Sequence, residues 1–280
     1  MEKESLTQLA TLSHPQRMQI FRLLMRRFPD AVPAGEIAEA LGLKASTNSV
    51  YLAALREAGL VTQFRHGTSL HYRAETAALQ RLMGYLLNDC CRGRPDLCPP
   101  LPVKDGPDIM DHRKYNVLFI CTGNSARSIF AEALLRDMAG DRFNVYSAGT
   151  RPHSELNPYA VALLAAKGHD ISSLRAKNVS EFQDPDAPHM DFVFTVCNQA
   201  ANEECPTWEG QPVSAHWGMP DPVTAEGTEA EKKLAFQQAY GGLKNRITTF
   251  TALPFDTLDR ISLQAAVDGI GASDLENTPA

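Results

Sequence analysis

The chain has 280 residues, 44% of them hydrophobic, and a formal net charge of −6. That length suggests two domains. No apolar run approaches the length that crossing a bilayer demands, and the charged start Met-Glu-Lys-Glu-Ser-Leu has no signal-peptide core, so a soluble, cytoplasmic protein with no membrane partner is expected. Charge is unevenly placed: residues 1–100 carry 12 Lys+Arg against 9 Asp+Glu, a net of +3, and the remainder nets −9. Such a split fits a nucleic-acid-facing front end joined to an acidic enzyme. Six cysteines form two groups, Cys90, Cys91 and Cys98, then Cys121, Cys197 and Cys205. A reducing cytosol disfavours three disulfides, so the groups read as two separate thiol sites.

Residues 5–60 read as a run of short helices. His14-Pro15 puts proline at a helix start, where its missing N–H costs nothing. Ile20, Phe21, Leu23 and Leu24 supply an apolar face, and Pro29 and Pro33 end it. Ala34–Leu41 is a short helix stopped by Gly42. The next is capped by Ser46 or Thr47, runs to Ala58 and stops at Gly59; its expected core face is Val50, Leu52, Ala53 and Leu55. Two strands, 60–65 and 69–73, make a hairpin around His66-Gly67. A helix from about Glu75 to Cys90 carries Leu79, Leu82, Met83, Leu86 and Leu87 on one stripe. Residues 92–113 hold Pro95, Pro99, Pro100, Pro102 and Pro107 and read as a semi-extended Cys/Pro-rich linker. The order of elements over residues 1–91 is that of a mainly α winged helix-turn-helix.

The second domain spans 114–271, with a frayed tail at 272–280. Its apolar strand 116–120 runs into the loop Cys121-Thr-Gly-Asn-Ser-Ala-Arg127-Ser128. Helix 128–139, strand 143–147, a helix opened by Asn157-Pro158, strand 192–196, short strand 213–216 and a long helix 229–250 come next. This alternation predicts an α/β fold with a parallel four-stranded sheet.

The loop after the first strand carries chemistry. A strand delivers Cys121 to the carboxyl edge of the sheet, where ligands bind in open α/β folds. Backbone N–H groups of Thr122, Gly123, Asn124, Ser125, Ala126 and Arg127, with a helix N-terminus behind them, make a nest for a tetrahedral anion. Gly123 allows a turn that a side chain would obstruct. Arg127 can fork two hydrogen bonds to the anion. The same positive field is expected to lower the Cys121 pKa and give an attacking thiolate, with the Ser128 hydroxyl bonded to it.

Val-Leu-Phe-Ile-Cys-Thr-Gly-Asn-Ser-Ala-Arg-Ser resembles the signature of the low-molecular-weight protein tyrosine phosphatases. The resemblance implies that Asp221, of Asp221-Pro222, is a general acid. Cys197, Cys205, Trp208, His216-Trp217-Gly218 and Asp221-Pro222 resemble the thioredoxin-coupled arsenate reductases built on that fold, over about residues 115–265. This second resemblance implies a thiol relay. Cys121 attacks arsenate, Asp221 protonates the departing oxygen, Cys197 attacks Cys121 and expels arsenite, and Cys205 attacks Cys197. A thioredoxin-like dithiol then reduces the Cys197–Cys205 disulfide. The polar loop 198–204 is expected to move as carrier. Relatives often have Cys before the loop Arg; Ala126 stands there. By resemblance alone, Asn124, Glu132 and Ser147 line a site for a monovalent cation such as potassium; no cofactor is expected to be tightly bound. The alternatives are a tyrosine phosphatase tethered to DNA and a non-catalytic oxyanion sensor.

Leu12-Ser-His-Pro-Gln-Arg and Ser49-Val-Tyr-Leu-Ala-Ala-Leu-Arg-Glu-Ala-Gly-Leu-Val resemble the ArsR family of metal-responsive repressors. The helix near 46–58 would enter the major groove, with Thr47, Asn48, Ser49 and Tyr51 at its exposed start. Arg65 and His66 in the wing would contact the DNA backbone. Cys90, Cys91 and Cys98 lack a fourth thiol, which suits arsenite or antimonite as regulatory ligand; His112 could complete a zinc site instead. The stripe on helix 75–90 is expected to pair two chains into a dimer matching a two-fold operator.

Overall fold

A computed structural model describes residues 2–90, 114–184, 186–203, 208 and 210–272, in two units divided between residues 104 and 105. In the first, α1 (Glu2–Leu12), α2 (Pro15–Arg26), β1 (Val32–Pro33), α3 (Ala34–Ala40), α4 (Ala45–Glu57), β2 (Val61–His66), β3 (Ser69–Ala74) and α5 (Thr76–Tyr85) succeed one another. Pro15 opens α2 at its first turn, as its fixed φ favours. The strands form an antiparallel sheet of order β1-β3-β2, packed on Ile20, Leu23, Leu24, Ile37, Leu52, Leu55 and Leu60.

Three expectations for this unit need correction. α4 begins at Ala45 and its N-cap Lys44 makes no side-chain cap, so Ser46 and Thr47 lie inside the helix. Val50 is 65% exposed. The buried residues of α4 are Asn48, Leu52 and Leu55; spacings of four and three share a helix face, and position 50 is half a turn away. The last helix is not continuous to Cys90: α5 ends at Tyr85 and a π-helical turn, Leu86–Cys90, succeeds it.

The second unit contains β4 (Tyr115–Cys121), α6 (Arg127–Ala139), β5 (Phe143–Gly149), α7 (Pro158–Ala166), β6 (Phe192–Thr195), α8 (Asn198–Asn202), β7 (Val213–His216), α9 (Glu229–Thr251) and α10 (Arg260–Ala272). The four strands are parallel in the order β5-β4-β6-β7, as the strand–helix alternation predicts. Asn157 caps α7 by accepting the Tyr159 N–H, and Thr228 with Glu231 forms a capping box at α9, each satisfying N–H groups that a helix start leaves free. Aromatic rings fill the core: Phe194 stacks on Trp217 at 4.1 Å between centroids, and both meet Phe250 edge-on.

Two elements here were not foreseen. Residues 198–202, expected to be loop, form α8. α10 packs against β7, with Leu263, Val267 and Ile270 buried and the Trp217 indole N–H donating to the Val267 carbonyl at 3.0 Å. Gly269 and Gly271 weaken its propensity, and one turn carrying Leu263 and Val267 is a faint signal without the tryptophan that receives it. Among the described residues no helix is long and apolar enough to cross a membrane.

Candidate active site

Cys121 ends the central strand β4 and is buried. The Asn124 backbone N–H donates to its sulfur at 3.1 Å, and Ser128 Oγ lies 2.9 Å from it. Asn124 organises what surrounds the thiol. Its side-chain amide donates to Ser128 Oγ and to Ser147 Oγ, both at 2.8 Å, and its Oδ1 accepts the Lys177 backbone N–H at 2.7 Å. An amide nitrogen only donates, so Ser128 Oγ accepts from Asn124 and has its own proton free for Cys121. Ser147 Oγ likewise accepts from Asn124 and donates a hydrogen bond to Glu132 Oε2 at 2.5 Å.

The loop's left-handed residue is Asn124 (φ 43°); asparagine tolerates that region better than most side chains, and the three hydrogen bonds of its amide hold it there. Gly123 is needed where a side chain would obstruct the loop, as its sequence position suggests. A Cβ there would sit 2.5 Å from the His153 ring, while the His153 backbone N–H donates to the Gly123 carbonyl.

Arg127 donates from one nitrogen to the Met219 carbonyl at 3.1 Å and from another to Asp221 Oδ2 at 2.5 Å. Asp221 Oδ1 accepts the Val223 N–H and caps a short turn at Pro222. Thus the two motifs, 94 residues apart in sequence, meet. Thr122 Oγ1 lies 3.4 Å from Cys197 Sγ, so the second thiol stands beside the anion loop. Cys197 is buried two residues past the end of β6, and its sulfur accepts the Ala200 N–H at 3.4 Å. Ser125 and Ala126 use their carbonyls to accept the Asn157 and Phe130 N–H groups, which fixes the loop to α7 and α6.

The expected lowering of the Cys121 pKa is reversed. Burial pushes the thiol up from its ordinary value and the neighbouring Cys197 adds to this; the Ser128 hydrogen bonds and Arg127 pull the other way without prevailing. Desolvation of a thiolate at 3% exposure outweighs the local positive charge.

Asn124, Glu132 and Ser147, the set expected to hold a monovalent cation, do converge. Lys177, which sequence reasoning missed, is there with them. Its buried ammonium donates to Glu132 Oε2 and to the Arg175 carbonyl, both at 3.0 Å. No motif marks Lys177; it reaches Glu132 across 45 residues.

In the first unit, Asn48 is not an exposed contact residue. It is 2% exposed and donates to the Ala34 carbonyl at 2.8 Å, because it takes the inward face of α4. Tyr51 is half-buried, its hydroxyl donating to Gln16 Oε1 at 2.6 Å with its ring against His14. Thr47 is half-buried and Ser49 exposed, with its hydroxyl on the Ala45 carbonyl. Arg65 and His66 are exposed near the hairpin turn, where Arg73 stacks over Phe64 at 4.9 Å. Cys90 is an exposed thiol at the end of the π-helical turn. Cys91, Cys98, His112 and Cys205 lie outside the described residues.

Residues 116–261 match the family described as low molecular weight phosphotyrosine protein phosphatase, and residues 12–63 match one described as a helix-turn-helix domain. The arsenate reductase of Bacillus licheniformis is 43% identical over 138 residues, 49% of this chain and 95% of the relative. That of Bacillus subtilis is 40% identical over 135 residues, 48% of this chain and 93% of the relative. A solved structure of an ArsR-like transcriptional regulator from Rhodococcus sp. RHA1 is 25% identical, covers 34% of this chain and 88% of its own, and superposes with a TM-score of 0.30.

Proposed function

The chain belongs to the low molecular weight phosphotyrosine protein phosphatase family, and from that premise we propose that it is an arsenate reductase fused to an arsenite-responsive repressor. One observation carries the choice of reductase over phosphatase: a second buried thiol, Cys197, within 3.4 Å of Thr122 in the anion loop. Phosphoryl transfer needs only Cys121. Reduction of arsenate needs two electrons and therefore a second thiol. The arsenate reductases it resembles at 43% and 40% identity support the same reading.

In this reading Cys121 loses its proton to solvent, the Ser128 hydroxyl donates to the resulting thiolate, and the thiolate attacks arsenic(V). Arg127 turns its fork from Asp221 to two oxyanion oxygens. A carboxyl released from its ion pair can carry the proton that leaves with the departing oxygen as water. Cys197 as thiolate then attacks Cys121 sulfur. The S–As bond pair stays on arsenic, which leaves as arsenite, and a Cys121–Cys197 disulfide forms. Cys205 attacks Cys197, freeing Cys121, and a thioredoxin-like dithiol reduces Cys197–Cys205. Lys177 takes the part of the cation beside Glu132, so turnover should not need added potassium; a several-fold rise with potassium over sodium would oppose this. Cys197→Ser should still form the Cys121 adduct with arsenate but release no arsenite. Unchanged turnover in that variant would favour the phosphatase reading.

For the first unit, α4 would enter the major groove with Ser49 and Thr47 toward DNA, and Arg65 and His66 would meet phosphates. Asn48 is withdrawn from this set. Cys90, Cys91 and Cys98 would bind arsenite or antimonite, the alternative being zinc with His112, and α5 would pair two chains. Arsenite should release operator DNA, and Cys98→Ser should abolish release. DNA binding indifferent to arsenite would refute the sensor.

A further inference from the structure

We infer that His216 and Asn198 form an anchor that aims Cys197 at the Cys121 loop, a positioning role resting on the relay just described. The parallel register sets Thr195 of β6 beside His216 of β7. His216 is 1% exposed. Its Nδ1 lies 2.8 Å from Thr195 Oγ1 and its Nε2 lies 3.1 Å from Asn198 Oδ1. An amide oxygen only accepts, so Nε2 carries a proton; in the neutral ring Nδ1 then accepts from the threonine hydroxyl. The imidazole is thereby fixed in one tautomer between the sheet and the first residue of α8.

That residue comes directly after Cys197, and Cys197 is the N-cap of α8. Fixing Asn198 therefore fixes the direction in which α8 leaves the strand, and with it the pose of Cys197 Sγ against Thr122 and the Ala200 N–H. The chain around His216 is built to keep the bond. A Cβ on Gly218 would lie 2.6 Å from His216 Nε2 and 2.7 Å from Asn198 Oδ1, so only glycine lets the backbone close over the pair. Arg246 holds that backbone by donating to the Gly218 carbonyl at 3.0 Å. One residue further on, the Met219 carbonyl accepts from Arg127. The stretch 216–219 thus touches the oxyanion arginine at one end and the relay helix at the other.

The test uses the full chain in a Cys205→Ser background, where one arsenite per enzyme marks formation of the Cys121–Cys197 disulfide. Asn198→Ala, at an exposed position, should slow that single release about tenfold. Alkylation of Cys121 by iodoacetamide should stay unchanged, and alkylation of Cys197, read by peptide mass, should rise as its buried pose loosens. His216→Leu should behave alike, and His216→Gln, which keeps a donor near Nε2, should recover most of the rate. An unchanged release rate in Asn198→Ala overturns the anchor. So does parallel change at Cys121 and Cys197, which would mean a merely structural pair. If the Cys205→Ser background itself releases no arsenite, the reductase reading fails. Cys197 alkylation then still judges the anchor, a rise in Asn198→Ala supporting it and no change opposing it.

Discussion

Asn124 orients the protons around Cys121: its amide turns the Ser128 hydroxyl toward the thiol and the Ser147 hydroxyl toward Glu132. What it cannot do is ionise the sulfur, because burial holds the Cys121 thiol above its ordinary range. Alkylation of Cys121 should therefore rise about tenfold per pH unit between roughly pH 7 and 9. A rate already level at neutral pH would indicate a lowered pKa. Lys177 and Glu132 are both buried, so Lys177→Met strands a carboxylate in the interior and should cost about 3 kcal/mol, seen as a lower urea midpoint for this unit. The chemistry at this scale is legible in the sequence where it is contiguous. Cys121 through Ser128 is one run of chain, and strand, glycine, arginine and helix start announce a nest. Lys177, Met219 and the His216–Asn198 bond are contacts between distant segments, and no local pattern encodes them. The sign of the Cys121 shift is not legible, because sequence displays the nearby arginine and hides the extent of burial.

Elements are legible when their periodicity is strong and unbroken. β4 and β6 are nearly all apolar, and α9 is long and opened by a capping box. α8 escapes detection because five polar or small residues have no amphipathic stripe, and α10 because its glycines mask a short apolar face that only Trp217 explains. α10 also carries a pH-dependent weakness. Burial raises the Asp268 carboxyl to about 6, opposed by the Gln264 hydrogen bond. An acid raised on folding favours the fold below its unfolded value near pH 4, and that advantage is lost as pH rises through about 6. Asp268 is partly exposed, so the effect is discounted to about 1 kcal/mol. Asp268→Asn should raise the melting temperature of this unit at pH 7 and leave it unchanged near pH 4. An equal gain at both would mean that charge is not the cause.

For the molecule as a whole, a basic front and an acidic back anticipate two units of different work. The helix-turn-helix match over residues 12–63 and the phosphatase-family match over 116–261 divide the chain in the same manner. In the reading proposed above, joining the two would put an enzyme's product and that product's sensor on one chain. If arsenite passes directly from one to the other, separately expressed halves mixed together should derepress less than the intact chain at equal arsenate; equal response would leave the fusion without that advantage. All of this depends on the relay. The most direct test is arsenite release from arsenate with a thioredoxin-coupled reductant, using the intact chain and its Cys121→Ser, Cys197→Ser and Cys205→Ser variants. The unsubstituted protein should release arsenite continuously, Cys205→Ser one equivalent, and Cys197→Ser and Cys121→Ser none. Sustained release by Cys197→Ser, or none by the unsubstituted protein, would contradict the relay.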